Sequence, residues 1–115
     1  MTQRLLHNPR CSKSRQAKAL LEESGVAFDE VQYLKQPLTK EELRELSGKL
    51  GLKPLEMVRK KEEAFKQHGL NTDDVTDDQV LNAIVADPIL LERPVFETSE
   101  RAVIGRPPER IKELL

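Results

Sequence analysis

This chain has one cysteine, no tryptophan and no long apolar run. Each absence removes a class of explanation. The single cysteine, Cys11, excludes an internal disulfide. One thiol with two distant histidines, His7 and His68, offers no usual zinc-ligand spacing. Aromatic residues are 3% of the chain (Phe28, Tyr33, Phe65 and Phe96), so a core must rest on Leu, Val, Ile and Ala. Few aromatics and a formal charge of −1 argue against a nucleic-acid partner held by base stacking and a basic field. No stretch approaches the roughly 18 apolar residues of a membrane helix, and no apolar segment near the start reads as a secretion signal. No membrane partner is expected, and a reducing, cytoplasmic compartment fits one unpaired thiol best.

The most local absence is of acid. The chain holds 20 acidic residues, yet none precedes Glu22. Inside that acid-free stretch lies HNPRCSKSR, residues 7–15, where Cys11 sits among His7, Arg10, Lys13 and Arg15.

The length of 115 residues suggests one domain, 1–115. Residues 3–7 read as a short buried strand before the Asn8-Pro9 turn. From Ser12, Ala17, Leu20 and Leu21 fall at helical spacing, and Gly25 supplies a stop, so Ser12 to Ser24 is a predicted helix. Residues 28–33 read as a second strand, making a βαβ unit with parallel strands. The middle is helical. Thr39 to Glu42 and Thr76 to Gln79 are capping boxes, and two shorter pieces, Pro54 to Lys60 and Glu62 to Gln67, lie between them. Leu55 and Val58, and later Val80, Leu81, Ile84 and Val85, are expected to face inward. Residues 95–98 and 102–104 read as a hairpin, followed by a helix from Pro108 to Leu115. The expected class is α/β, a thioredoxin-like mixed sheet (βαβ then ββα) with an inserted helical region at about 37–88.

Cys11 at the start of a helix has two readings. It is a small buried apolar residue in a solvated basic face, or it is a reactive thiol. The helix N-terminus, the basic neighbours and the lack of acid all favour a thiolate, with a pKa below the usual value of about 8.5. The same loop can bind an oxyanion through backbone N–H groups. A thiolate there repels an anion unless more positive charge converges. Arg59, Arg93 and Arg106 are the candidates; taken singly, each is also an ordinary surface charge. Arg93 and Arg106 each precede a proline, which holds them extended.

With these residues in place, the chain resembles the glutaredoxin-coupled arsenate reductases over nearly its whole length. His7-Asn8-Pro9-Arg10-Cys11-Ser12-Lys13-Ser14-Arg15 matches the family's H-x-x-x-C-x-x-x-R loop. Val58-Arg59-Lys60, Asp87-Pro88-Ile89-Leu90, Glu92-Arg93-Pro94-Val95 and Gly105-Arg106-Pro107 are similar to its later segments, with a cis bond implied before Pro94. The resemblance implies that the Cys11 thiolate attacks arsenate and that His7 helps hold it ionised. It implies that Arg59, Arg93 and Arg106 bind the oxyanion and that Arg15 and the loop complete the cradle, with Asn8, Ser14 and Pro94 in support. It also implies no bound cofactor, glutathione as co-substrate, and glutaredoxin as the partner that restores Cys11. Spx-type regulators that bind RNA polymerase are relatives of the same fold. A glutathione-linked thiol reductase acting on another substrate is a further reading. The three arginines favour the arsenate enzyme.

Overall fold

The computed structural model describes residues 3–115. The predicted domain also includes Met1 and Thr2, which lie outside the described residues. The chain forms two compact units. One comprises the residues up to Gln36 together with Arg93–Leu115, and the other is Pro37–Glu92.

The first unit holds the sheet. Strand β1 is Arg4–Leu6, helix α1 is Ser12–Ser24, and strand β2 is Asp29–Val31. After the second unit come strands β3, Val95–Glu97, and β4, Ala102–Ile104, and then a 3-10 helix over Pro108–Leu114. The strand order is β2-β1-β3-β4. β1 runs parallel to β2 and antiparallel to β3, and β3 and β4 pair as the antiparallel hairpin the sequence predicts. The sheet is therefore mixed, with βαβ and ββα halves meeting at β1 and β3.

Register explains the core. Leu5 lies opposite Phe96, and Phe96 opposite Val103, so the three share one face of the sheet. Ala17 and Leu21 of α1 and Ile111 of the last helix cover that face in one buried cluster. Glu97 is a buried acid in this sheet, only 3% exposed. It lies opposite Arg4, whose Nε donates to its carboxylate at 2.5 Å, so the charge is paired where it is buried.

Helix α1 begins at Cys11 as N-cap and ends at Gly25, which has φ 76°. Glycine enters this left-handed region without the steric penalty of a Cβ.

The second unit is helical. It contains α2, Lys40–Leu50, a 3-10 turn at Pro54–Met57, α3, Glu63–Gln67, and α4, Asp77–Ala86. Both predicted capping boxes are present, with Thr39 accepting from the Glu42 N–H and Thr76 from the Gln79 N–H. α4 packs against α2 and against the Pro54–Met57 turn. Two inward assignments differ from expectation. The 54–57 piece winds as a 3-10 helix, so Pro54 and Met57 are its buried residues and Leu55 is only half-buried. Val85 is 40% exposed, because α4 buries a stripe of Val80, Leu81, Ala83 and Ile84 and turns residue 85 outward. The final helix is 3-10 rather than α. No helix among the described residues is long and apolar enough to cross a membrane.

Candidate active site

The β1–α1 connection is built by its own side chains. The Cys11 N–H donates to the Asn8 carbonyl at 3.0 Å, and the Arg10 N–H donates to Asn8 Oδ1 at 3.0 Å. Asn8 thus folds the loop back on itself in the manner of an Asx turn. From the helix side, Ser14 Oγ accepts the Asn8 N–H at 3.0 Å and lies 2.7 Å from His7 Nδ1. His7, Asn8 and Ser14 are all buried. They form a small polar network beneath the thiol loop, and its hydrogen bonds offset the burial of its polar atoms. Arg15 extends over the surface and its Nη1 donates to the Pro9 carbonyl at 2.9 Å. It therefore braces the loop.

Cys11 occupies the N-cap position with extended backbone, and the first turn of α1 carries no acid. Its thiol is partly accessible. Burial is the largest influence on it and disfavours the thiolate. The Ser14 N–H, the Arg93 guanidinium and the Lys13 N–H together outweigh burial and bring the thiol below its ordinary pKa. The helix start and one arginine are thus the physical source of activation.

The opposing wall comes from the second half of the sheet. Arg93 directly precedes β3 and Arg106 follows β4, and the bonds Arg93-Pro94 and Arg106-Pro107 are both cis. Arg106 Nε donates to the Arg93 carbonyl at 2.8 Å, while its Nη2 points to Cys11 Sγ at 4.0 Å. Nε and Nη1 of Arg93 are shielded from solvent and have no hydrogen-bond partner among the described residues. Buried guanidinium N–H groups left unpaired are costly, which makes this corner receptive to an acceptor-rich anion.

Of the sequence-predicted residues, Cys11, Ser14, Arg93 and Arg106 come together in the first unit. His7 bonds Ser14 rather than the sulfur, and burial, its largest influence, lowers its pKa. It is therefore a neutral imidazole near neutral pH. Arg59 belongs to the second unit, where an isolated bridge between Val58 and Leu91 anchors its backbone. Its Nη1 lies 3.7 Å from Glu62 and its Nε 3.8 Å from Glu92. Gly105, which the sequence did not single out for a role of its own, is a packing position. Its N–H donates to the Pro94 carbonyl at 2.8 Å, and a Cβ there would lie 2.9 Å from Pro94 Cγ. The only sequence signal for this was its place between a strand and Arg106-Pro107.

The mixed sheet and its helices define a thioredoxin-like α/β protein. Within that class the chain belongs to the ArsC family, whose model matches residues 6–114. A protein named arsenate reductase from Neisseria meningitidis serogroup A is 43% identical over 113 residues, covering 97% of both chains. The uncharacterized protein YfgD of Escherichia coli strain K12 is 39% identical over 113 residues, covering 97% of this chain and 95% of its own. The solved arsenate reductase of Vibrio cholerae is 40% identical with a TM-score of 0.95, covering 100% of this chain and 98% of its own.

Proposed function

We propose that this chain is an arsenate reductase that uses Cys11 as nucleophile and draws its electrons from glutathione, with glutaredoxin completing the cycle. The observation that carries the reading is that Nε and Nη1 of Arg93, shielded and without a hydrogen-bond partner among the described residues, lie on the guanidinium that helps lower the Cys11 pKa. Relatives of about this length that bear the name arsenate reductase support it. A cytoplasmic location is part of the same proposal, because the cycle needs a reduced thiol pool.

The Cys11 thiolate attacks the arsenic of dihydrogen arsenate. A sulfur–arsenic bond forms, one arsenic–oxygen bond breaks, and that oxygen takes up a proton and leaves as water. A glutathione thiolate then attacks the Cys11 sulfur, so that a disulfide forms and the sulfur–arsenic bond breaks with its electron pair leaving on arsenic as arsenite. A glutaredoxin thiolate attacks the glutathione sulfur of that disulfide and releases Cys11 as the thiolate. Over the cycle arsenate and two thiols give arsenite, one disulfide and water. Arsenic gains the two electrons that the thiol sulfurs lose, and Cys11 is restored.

The arginines offset the repulsion between thiolate and anion and spread charge in the adduct. Arg93 supplies two shielded nitrogens with no hydrogen-bond partner among the described residues, and Arg106 reaches the sulfur while holding the Arg93 backbone. Arg59, in the second unit, enters the proposal only through the resemblance of Val58-Arg59-Lys60, and its guanidinium faces the carboxylates of Glu62 and Glu92 at 3.7 and 3.8 Å. His7 acts without charge. It fixes Ser14, whose N–H helps stabilise the thiolate.

The test is arsenate-dependent NADPH oxidation with glutathione, glutathione reductase and glutaredoxin. Turnover should vanish in Cys11→Ser and fall about 100-fold in Arg93→Lys, where charge stays but the fork is lost. A wild-type rate no higher than that of Cys11→Ser rejects the reading.

A further inference from the structure

A single-thiol cycle needs a second thiol delivered to the Cys11 loop. A cavity of about 370 Å³ opens on that loop, lined by residues 7–10 and by Gln32, Leu34 and Lys35. It lies entirely within the first unit. The His7 N–H donates to the Val31 carbonyl at 2.8 Å and so ties the exit of β1 to the exit of β2. The cavity therefore sits beyond the carboxyl ends of two parallel strands, where α/β sheets favour ligands.

Its lining has a definite chemistry. His7 and Asn8 are buried lining residues, whereas Pro9, Arg10, Leu34 and Lys35 are exposed. The chain turns sharply after β2, with the Lys35 and Gln36 N–H groups both donating to the Gln32 carbonyl at 2.9 Å. Leu34 is 40% exposed beside Lys35, and Tyr33 between Gln32 and Leu34 is buried. No acid among the described residues lines the cavity. Glu30, which acts on His7 electrostatically, is ion-paired with Lys18 at 2.7 Å. Two exposed cations, one exposed leucine and the amide side chains of Asn8 and Gln32 thus surround a space of ligand size.

We propose that this cavity binds the reducing co-substrate, a low-molecular-weight thiol bearing carboxylates, of the glutathione class. Lys35 and Arg10 hold its carboxylates, Leu34 packs on its carbon chain, and its sulfur is directed along residues 8–10 toward Cys11. This inference rests on the proposed thiol cycle and adds the docking site for its second thiol.

Two measurements test it without arsenate. In the first, Cys11→Ser protein is titrated with S-methylglutathione and followed by amide NMR. Shifts should cluster at residues 7–10 and 32–35, and Lys35→Glu in the same background should weaken binding roughly five- to tenfold. Shifts elsewhere, or none, overturn the assignment. In the second, the exchange of Cys11 with glutathione disulfide is compared with its exchange with neutral hydroxyethyl disulfide. In each case the thiolate takes one sulfur and releases the other as a thiolate. The glutathione preference should fall by a similar factor in Lys35→Glu, whereas an unchanged ratio overturns the site. Should arsenate turnover be absent while S-methylglutathione binds here, the arsenate reading fails and the cavity assignment stands.

Discussion

Gly105→Ala tests how tightly the two halves of the sheet are fitted behind the arginines. The added Cβ would lie 2.9 Å from Pro94 Cγ and 3.3 Å from Ile111 Cγ2. Carbon atoms prefer roughly 3.5–4.0 Å, so the first contact overlaps by about 0.6 Å or more. Neither neighbour yields easily. Pro94 is a ring with no rotamer to change, its carbonyl is bonded by the Gly105 N–H at 2.8 Å, and Ile111 is fully buried. Overpacking of this kind costs about 1–3 kcal/mol, and each kcal/mol lowers Tm by roughly 4–8 °C in a small domain. Because Pro94 follows Arg93, the strain should also reach the thiol, and a displacement near 1 Å would lower turnover by about 100-fold. Gly48→Ala is the matched control. Gly48 lies within α2 with nothing within 4 Å of its would-be Cβ. There the same substitution should stabilise by about 0.5–1 kcal/mol through helix propensity. Urea denaturation followed by circular dichroism reads both. Equal stability of Gly105→Ala and wild type, or a loss in Gly48→Ala, would refute the packing argument.

Other perturbations separate the contributions to the thiol site. Iodoacetamide alkylation of Cys11 should titrate below the ordinary thiol range, and Arg93→Gln should move the midpoint upward; no movement would remove Arg93 from the account of activation. Ser14→Ala leaves His7 Nδ1 and the Asn8 N–H without their shared partner in a buried network, so it should cost about 1–3 kcal/mol in denaturant melts. His7 has a lowered folded-state pKa, so the unfolded chain binds more protons below 6.5. Its contribution is fully present above that value and declines as pH falls, and His7→Asn should flatten the stability change between about pH 7.5 and about pH 5.5. An unchanged slope in that variant would assign the pH dependence to other groups.

Local rules in the sequence placed much of this fold. Ser12–Ser24 followed from apolar spacing and Gly25, and the helix occupies those residues. Thr39 and Thr76 announced α2 and α4 because a capping box involves only side chains three residues apart. The 54–57 piece and the last helix were legible as helical but not as 3-10, since the tighter winding depends on tertiary packing. Val85 failed for a related reason. Helical spacing defines a stripe, and packing alone decides where its edge falls. At the site, the thiol and its basic loop were readable in one stretch of sequence. The bond from Arg106 to the Arg93 carbonyl was not, because it joins residues 13 apart along the chain through side-chain geometry.

That bond makes the two arginines one working part. Arg106 holds the backbone from which Arg93 projects and extends its other arm to the sulfur. Replacing Arg106 therefore disturbs Arg93 as well, and the second loss adds less than the first. A descendant of this protein that gave up oxyanion chemistry would have little reason to keep either arginine alone, so the pair should be retained or discarded together.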